Sequence, residues 1–502
     1  MSAFLRSSGP AWGLLCVGVL LSSLPVSPTA AQQGAPTCAS PAERRQARTA
    51  QRLLAEYHRL GRFDGAALVA LGDCVLLSRA WGLANRDWSI ANTTTTRFRI
   101  GSMTKAFTAV AIHRLAQAGR LDLDAPASRY LPRVVDSLAA GRYTVRQLLW
   151  HRSGLPDFND DPGLFSHVQR RDTPWDSVIN RAARSPLRFE PGTGFGYSNN
   201  GYWLLGAVLE TVTGRSWARA LDSLVSVPLG LRYTVDDQPF SIQVERATGY
   251  RDAFDGITVA LPYRATADAG LWSTTEDLYR LFRGLFDPHR TSDALRAALF
   301  NDRPDGNAQG WTRDSVQFVS GGRRYRLFRQ DGAVYGFFAT SFLVPQRNWV
   351  IVLLSNYRRP YNSLREIATR LGTVLDGGSP EPPMATLGSV LEGIRQRAGV
   401  DSAIACLQRE RCRGAASVNE TELNIWAWFL AERGAPGQAA RAFGALTALL
   451  PQATATWYGL ADNALAAGDT VTARRAVQQL LRLAPTHGGG LQLQSRLGLQ
   501  NP

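Results

Sequence analysis

Lysine is almost absent from this 502-residue chain: of its 56 Lys and Arg side chains, only Lys105 is a lysine. The formal net charge is +15. Its arginines are nevertheless scattered, with no basic run and no nucleic-acid motif, which excludes a nucleic-acid partner. Histidine is scarce as well. His58, His113, His151, His167, His289 and His487 form no close-spaced pair, so neither a metal site nor another cofactor is implied. The one marked apolar run, Ala11 to Leu24, is too short for a stable membrane span. With Arg6 before it and Thr29-Ala30-Ala31 after it, the segment reads as a signal peptide over 1–31, which predicts an exported, periplasmic or extracellular protein. Five cysteines are present, and Cys16 lies inside that signal. The remaining four permit disulfides in an oxidising compartment, with Cys406–Cys412 and Cys38–Cys74 the natural pairs.

A composition that writes nearly every cation as Arg leaves Lys where a cation has to lose its proton. Arg stays protonated to about pH 12, whereas a desolvated Lys can be pushed until its amine serves as a base. Lys105 stands three residues after Ser102 in Gly101-Ser102-Met103-Thr104-Lys105. Phe107, Val110, Ala111, Leu115 and Ala116 follow at helical spacing up to Gly119, so Ser102 belongs to a first helical turn. Positions three apart share a helix face, and the hydroxyl and the amine converge there. Free backbone N–H groups and the positive end of the helix dipole favour alkoxide-like charge on the serine.

Gly65–Leu71 and Cys74–Trp81 read as a hairpin around Gly72-Asp73, and Arg324–Arg329, Gly336–Val344 and Trp349–Asn356 read as three more strands. Between them the chain is helical and loop-rich, with a helix start at Thr173-Pro174-Trp175-Asp176. The expected fold is α/β (α+β): an antiparallel sheet built from both ends of the domain, with a helical insertion. A Gly/Pro-rich stretch then marks a linker over 376–386. Beyond it Gly434 recurs at Gly468 and Pro451 at Pro485, each 34 residues on, the tetratricopeptide period. Helix pairs are legible at 422–433 with 435–450 and at 456–467 with 471–484, and residues 387–412 look like a divergent earlier unit turning at Gly399. These divisions give a hydrolase domain over 32–375 and an all-α repeat domain over 387–502, whose stacked helices suit a protein partner.

At Phe189-Glu190-Pro191-Gly192-Thr193-Gly194-Phe195-Gly196-Tyr197-Ser198-Asn199, a turn-rich loop delivers Tyr197 and Asn199 ahead of an apolar helix beginning near Trp203. A Tyr so placed can bond a buried Lys and take the serine proton, and an Asn two residues on can bind both the Lys and a substrate carbonyl. Ser102-x-x-Lys105 followed by Tyr197-x-Asn199 resembles the serine β-lactamase and penicillin-binding protein superfamily, in particular its class C β-lactamase-related esterases and D-peptidases. The resemblance extends over about residues 45–365 and includes Leu148-Leu149-Trp150-His151-Arg152-Ser153-Gly154-Leu155, Pro228-Leu229-Gly230-Leu231 and Ala269-Gly270-Leu271-Trp272-Ser273-Thr274.

That resemblance implies Ser102 as nucleophile, Lys105 and Tyr197 sharing the acid/base work, Asn199 holding substrate, and an oxyanion hole of the Ser102 and Ala333 backbone N–H groups. His151 belongs to a structural turn in the matching segment. One motif departs. Members carry a Lys or His on the strand lining the site, and Gly332, Gly336 and Phe337 set a register that puts Gln330 there, followed by Asp331. A neutral Gln beside an anion disfavours substrates anchored by a carboxylate. The expected protein is a cofactor-free serine hydrolase of a small-molecule or peptide ester or amide, esterase or D-peptidase rather than true β-lactamase. The alternative is a penicillin-binding-like recognition protein that does not turn over and whose repeats dock a partner.

Overall fold

The computed structural model describes residues 40–131, 140–160, 174–237, 242–252, 257–259, 266–300, 307–318, 324–358, 364–414 and 416–499. Residues 1–31, read above as a signal peptide, and Cys38, His167 and Thr173 lie outside them. Helix α1 (Pro41–Arg59) opens with a capping box. Ser40 Oγ accepts from Glu43 N, the Glu43 carboxylate accepts from Ser40 N, and Pro41 fills the first helical position. The chain then turns into the hairpin β1 (Gly65–Leu71) and β2 (Cys74–Trp81). Leu71 pairs with Cys74, so Gly72-Asp73 is a two-residue loop, with Gly72 at φ 58°.

After α2 (Thr104–Gln117), α3 (Asn199–Thr213) and α4 (Thr275–Phe286), the chain returns to the sheet. It adds β3 (Asn307–Ala308), β4 (Trp311–Gln317), β5 (Arg324–Val334), β6 (Phe337–Val344) and β7 (Trp349–Ser355). The strand order is β3-β4-β5-β6-β7-β1-β2, antiparallel throughout, and β1 pairs with β7 over its whole length. The sheet is thus assembled from both ends of the module, as the alternating apolar runs required. Two features differ from the sequence reading. Strand β5 continues five residues past Arg329, and β4 was unread because Trp311-Thr312-Arg313-Asp314-Ser315-Val316-Gln317 is mostly polar, in keeping with its largely uncovered surface.

Alternate side chains of the strands enter two different cores. Ala67, Val69, Leu327, Phe342, Ile351 and Leu353 pack with α1 and with α5 (Leu364–Leu375). Ala66, Leu68, Phe328, Ala339, Val352 and Leu354 face α2, α3 and α4 on the other side. The second core is the one that positions the site.

Past residue 375 the Gly/Pro-rich stretch lies against this module, because Arg62 Nη1 donates to Met384 O (2.9 Å) and Arg370 Nη1 donates to Glu381 O. The helices that follow, α6 (Leu387–Gln408), α7 (Glu420–Glu432), α8 (Pro436–Leu449), α9 (Thr454–Ala466), α10 (Thr470–Leu483) and α11 (Gly488–Arg496), bury a core of their own around Trp426 and Phe443. Inside α6, Gly399 leaves helical geometry at φ 82°, which divides that helix into a pair. Gly434 and Gly468 adopt φ 76° and 82° at the equivalent turns, and an added Cβ at any of the three meets nothing within 4 Å. All three turns are therefore left-handed ones that glycine adopts without strain.

Cys74 and Cys406 are both disulfide-bonded. Their expected partners, Cys38 and the side chain of Cys412, lie outside the described residues. Among the described residues no helix is long and apolar enough to cross a membrane, and no cluster of His, Cys, Asp and Glu is arranged to hold a metal ion.

Candidate active site

Ser102 lies in a single tight turn, Gly101–Met103, that leads into α2. Strand β4 pairs with β5 only as far as Thr312 opposite Arg329, so the outer edge of β5 from Gln330 onward meets this turn instead. The contact is backbone against backbone. A Cβ added at Gly332 would sit 1.8 Å from Ile100 O and 3.3 Å from Ser102 N, and one at Gly101 would sit 2.8 Å from Ala333 N. Two glycines are needed because no side chain fits between them, and their meeting brings the Ser102 and Ala333 amides to neighbouring positions.

Lys105 is 1% exposed, and its Nζ donates to three acceptors: Asn199 Oδ1 at 2.7 Å, Asp268 O at 2.9 Å and Ser102 Oγ at 3.3 Å. Tyr197 Oη donates to the same Ser102 Oγ (2.9 Å). The Tyr197 and Tyr202 rings cover the amine, with centroids 5.0 and 5.3 Å from Nζ. Four residues singled out in the sequence, Ser102, Lys105, Tyr197 and Asn199, thus form one connected cluster. Tyr197 is half-exposed, and the amine lies beneath it.

Asn199 opens α3, four residues earlier than the helix start read near Trp203. Asn199-Asn200-Gly201 is weakly helix-forming, yet Ser198 caps the turn by accepting from Gly201 N. The Asn199 amide is tied inside the protein on both sides. Its Oδ1 takes the Lys105 hydrogen, and its Nδ2 and backbone N both donate to Asp157 Oδ2 at 2.8 Å. Asp157 was not anticipated. It lies 42 residues from Asn199, and nothing local in Leu155-Pro156-Asp157-Phe158 signals that pairing. His151 makes no hydrogen bond to Ser102 among the described residues. Its ring stacks on Tyr197 at 4.5 Å, and its Nδ1 accepts from Ser198 N at 3.1 Å, so it braces the tyrosine from behind.

Gln330 faces the same side of β5 as Gly332 but is buried. Its Nε2 donates to Gly310 O (3.4 Å), in a turn whose backbone presses on Lys105 and Ala106, so the side chain lies beneath the groove rather than along it. His113, buried on α2, bonds the neighbouring Gln309 and anchors that turn. Asp331 requires a correction, since it adds no anion beside Gln330. Alternation along the strand turns it to the opposite face, where Arg329 Nη1 (2.8 Å), Arg365 Nη2 (2.9 Å) and Thr340 Oγ1 (2.7 Å) neutralise it.

Asp268 was also missed, although an acid within Thr266-Ala267-Asp268-Ala269-Gly270 is conspicuous among small residues. It is buried, and desolvation holds its carboxyl above the usual carboxylate range against the opposing influence of Lys105.

With this geometry in view, the comparisons are specific. The Beta-lactamase family model matches residues 47–374. Esterase EstB of Burkholderia gladioli is 33% identical over 287 residues, which cover 49% of this chain and 72% of that protein. Protein flp of Staphylococcus aureus is 26% identical over 325 residues, with 60% and 61% covered. Among solved structures, a penicillin binding protein from Bacillus halodurans superposes with a TM-score of 0.56 at 25% identity, covering 64% of this chain and 98% of its own. The D-amino acid amidase of Ochrobactrum anthropi SV3 shares the fold with a TM-score of 0.56 at 23% identity, over 66% of this chain and 99% of its own. A family match over well more than half the chain, together with a relative at this identity, places the chain in the Beta-lactamase family, as a serine hydrolase of the β-lactamase-related type.

Proposed function

We propose that the chain is an exported esterase or amidase that opens an uncharged ester or amide through an acyl-Ser102 intermediate. The observation that carries this reading is the triple clamp on Lys105. Asn199 Oδ1 and Asp268 O hold two of its hydrogens, so when the amine is neutral its lone pair is aimed at Ser102. Ser102 Oγ then attacks the carbonyl carbon as its proton passes to Nζ. The Ser102 and Ala333 N–H groups take the developing oxyanion. Tyr197, on the open side of the serine, hands a proton to the departing alkoxide or amine as its bond to carbon breaks. Water then cleaves the acyl-enzyme by the same route in reverse. Asn199 serves as the link that fixes Lys105 through Asp157, and Gln330 supports the Gly310 turn.

The substrate class follows from charge. Position 330 carries no cation, and Arg329 and Arg365 are spent on Asp331 on the far face, which disfavours a carboxylate-anchored β-lactam. The signal segment over 1–31 and the disulfide-bonded Cys74 and Cys406 support export. The 34-residue spacing and the shared glycine turns support a tetratricopeptide-like tail over 387–502 that docks a protein partner.

The test is hydrolysis of short-chain p-nitrophenyl esters, together with fluorophosphonate labelling mapped by mass. Ser102→Ala is expected to abolish turnover and labelling. Lys105→Arg keeps the charge but is expected to lose at least about a thousandfold in kcat/KM, because Arg cannot shed a proton. Wild-type turnover in Lys105→Arg would make Lys105 an electrostatic support and sink the mechanism.

A further inference from the structure

The acyl-transfer scheme gives no task to Asp268, a buried ionisable group whose backbone touches Lys105. Asp268 gives its backbone oxygen to Lys105 Nζ (2.9 Å), while its side chain turns into the protein and is 1% exposed. Its Oδ1 accepts from Thr266 N (3.0 Å), and its Oδ2 has no hydrogen-bond partner among the described residues. The segment is rigidly held, because Thr108 Oγ1, one turn after Lys105 on α2, donates to Ala267 O at 2.7 Å. On the other side lies Trp203 of α3, whose indole N–H also lacks a partner within hydrogen-bond distance but favours the charged carboxylate. A buried carboxyl with an unfilled oxygen is costly unless a charge nearby answers it. The buried cation here is Lys105.

We propose that Asp268 is a positioning residue that acts through Lys105, its carboxyl, when ionised, being the counter-charge that stabilises the lysinium formed when Ser102 gives up its proton. This rests on the proposed reading of Lys105 as the acceptor of that proton. No ion pair joins the two side chains among the described residues, so the influence of Lys105 on the Asp268 carboxyl acts through space in a dry interior, where charges are poorly screened.

The other groups facing the pair are few. Tyr197 and Tyr202 lie over the amine with His151 behind them, and Asp157 sits beyond Asn199. Ser102 in the preceding turn and Thr104 and Thr108 on α2 are uncharged alcohols, β5 offers neutral Gln330, and the Gly310 turn offers neutral Gln309 with His113 further along α2. Asp268 is the acid nearest to Lys105 in connectivity, since the carboxylate of Asp157 reaches it only through an amide. Removing its charge destabilises the lysinium, so Lys105 should lose its proton at lower pH.

The sole lysine makes a direct measurement possible. In the full chain carrying 13Cε-lysine, Lys105 gives the only lysine side-chain signal. In the wild type this signal is expected to show two inflections with pH, its own and one from Asp268. In Asp268→Asn a single inflection should remain, with its midpoint lower by about one pH unit or more. Asp268→Ala, with alanines on both sides of the site, gives the same reading should the Asn variant not fold. A wild-type signal with one inflection, or a midpoint within ~0.2 unit of wild type in a folded variant, would overturn the proposal. Ester hydrolysis measured in parallel separates the two ideas. A shifted midpoint in a protein that hydrolyses nothing leaves the Asp268–Lys105 coupling intact and defeats the hydrolase reading. An unshifted midpoint in an active enzyme does the reverse.

Discussion

In the sheet module Tyr197 reaches Ser102 across 95 residues of sequence and Lys105 reaches Asp268 across 163, whereas in the tail each helix packs mainly on its near neighbours. The glycines show the same contrast. Gly101 and Gly332 exist because two backbones touch, while Gly399, Gly434 and Gly468 exist because a turn needs positive φ in open space. The first kind serves one long-range contact that chemistry depends on. The second kind serves a local shape that can be repeated.

The largest effect that would test this contrast is Gly332→Ala. Its methyl would meet Ile100 O at 1.8 Å, so the Ser102 turn must move, and we expect at least about a hundredfold loss of ester turnover with a clear fall in melting temperature. Near-normal activity would mean that the backbone contact is dispensable. Trp426→Ala removes the largest fully buried side chain of the tail, at a cost of about 3–5 kcal/mol. Calorimetry should show a tail transition moving to lower temperature while hydrolysis at 25 °C persists, and loss of both together would show that the two cores melt as one. Gly468→Ala meets no atom and is expected to cost only about 1 kcal/mol, through its φ of 82°, with turnover unchanged.

The smallest effect is a matter of pH. The hydrogen bond to Asp64 Oδ1 (2.7 Å) raises the His58 pKa despite the opposing influence of burial. A pKa raised by folding contributes stability that is complete below the unfolded value of about 6.5 and fades as pH rises through the folded value. The melting temperature should therefore decline slightly from about pH 6 to about pH 8, and His58→Gln should flatten that slope. The side chain is 40% exposed, so the change is small.

What was legible in the sequence follows the same division. The hairpin at Gly72-Asp73, the strands at 337–344 and 349–355 and the tail helices could all be read, because alternation, helical period and glycine turns are local signals. Ser102, Lys105, Tyr197 and Asn199 were found through a motif. Strand β4 was missed because, flanked on its outer side only by the two-residue β3 and with its surface largely uncovered, it loses the apolar pattern. Asp331 was placed beside Gln330 although alternation along the strand already puts neighbouring residues on opposite faces, whereas the roles of Asp157 and Asp268 depend on partners far along the chain. The burial of Gln330 beneath the Gly310 turn is likewise a tertiary fact.

The burial of Lys105 also gives the molecule a built-in clock. Apart from the α-amine, this chain has no other primary amine, and Lys105 is shut under two tyrosine rings. An acylating reagent in solution can reach it only when the site opens. The rate at which an acyl increment, mapped by mass, accumulates on Lys105 therefore reports how often those two rings part from the amine.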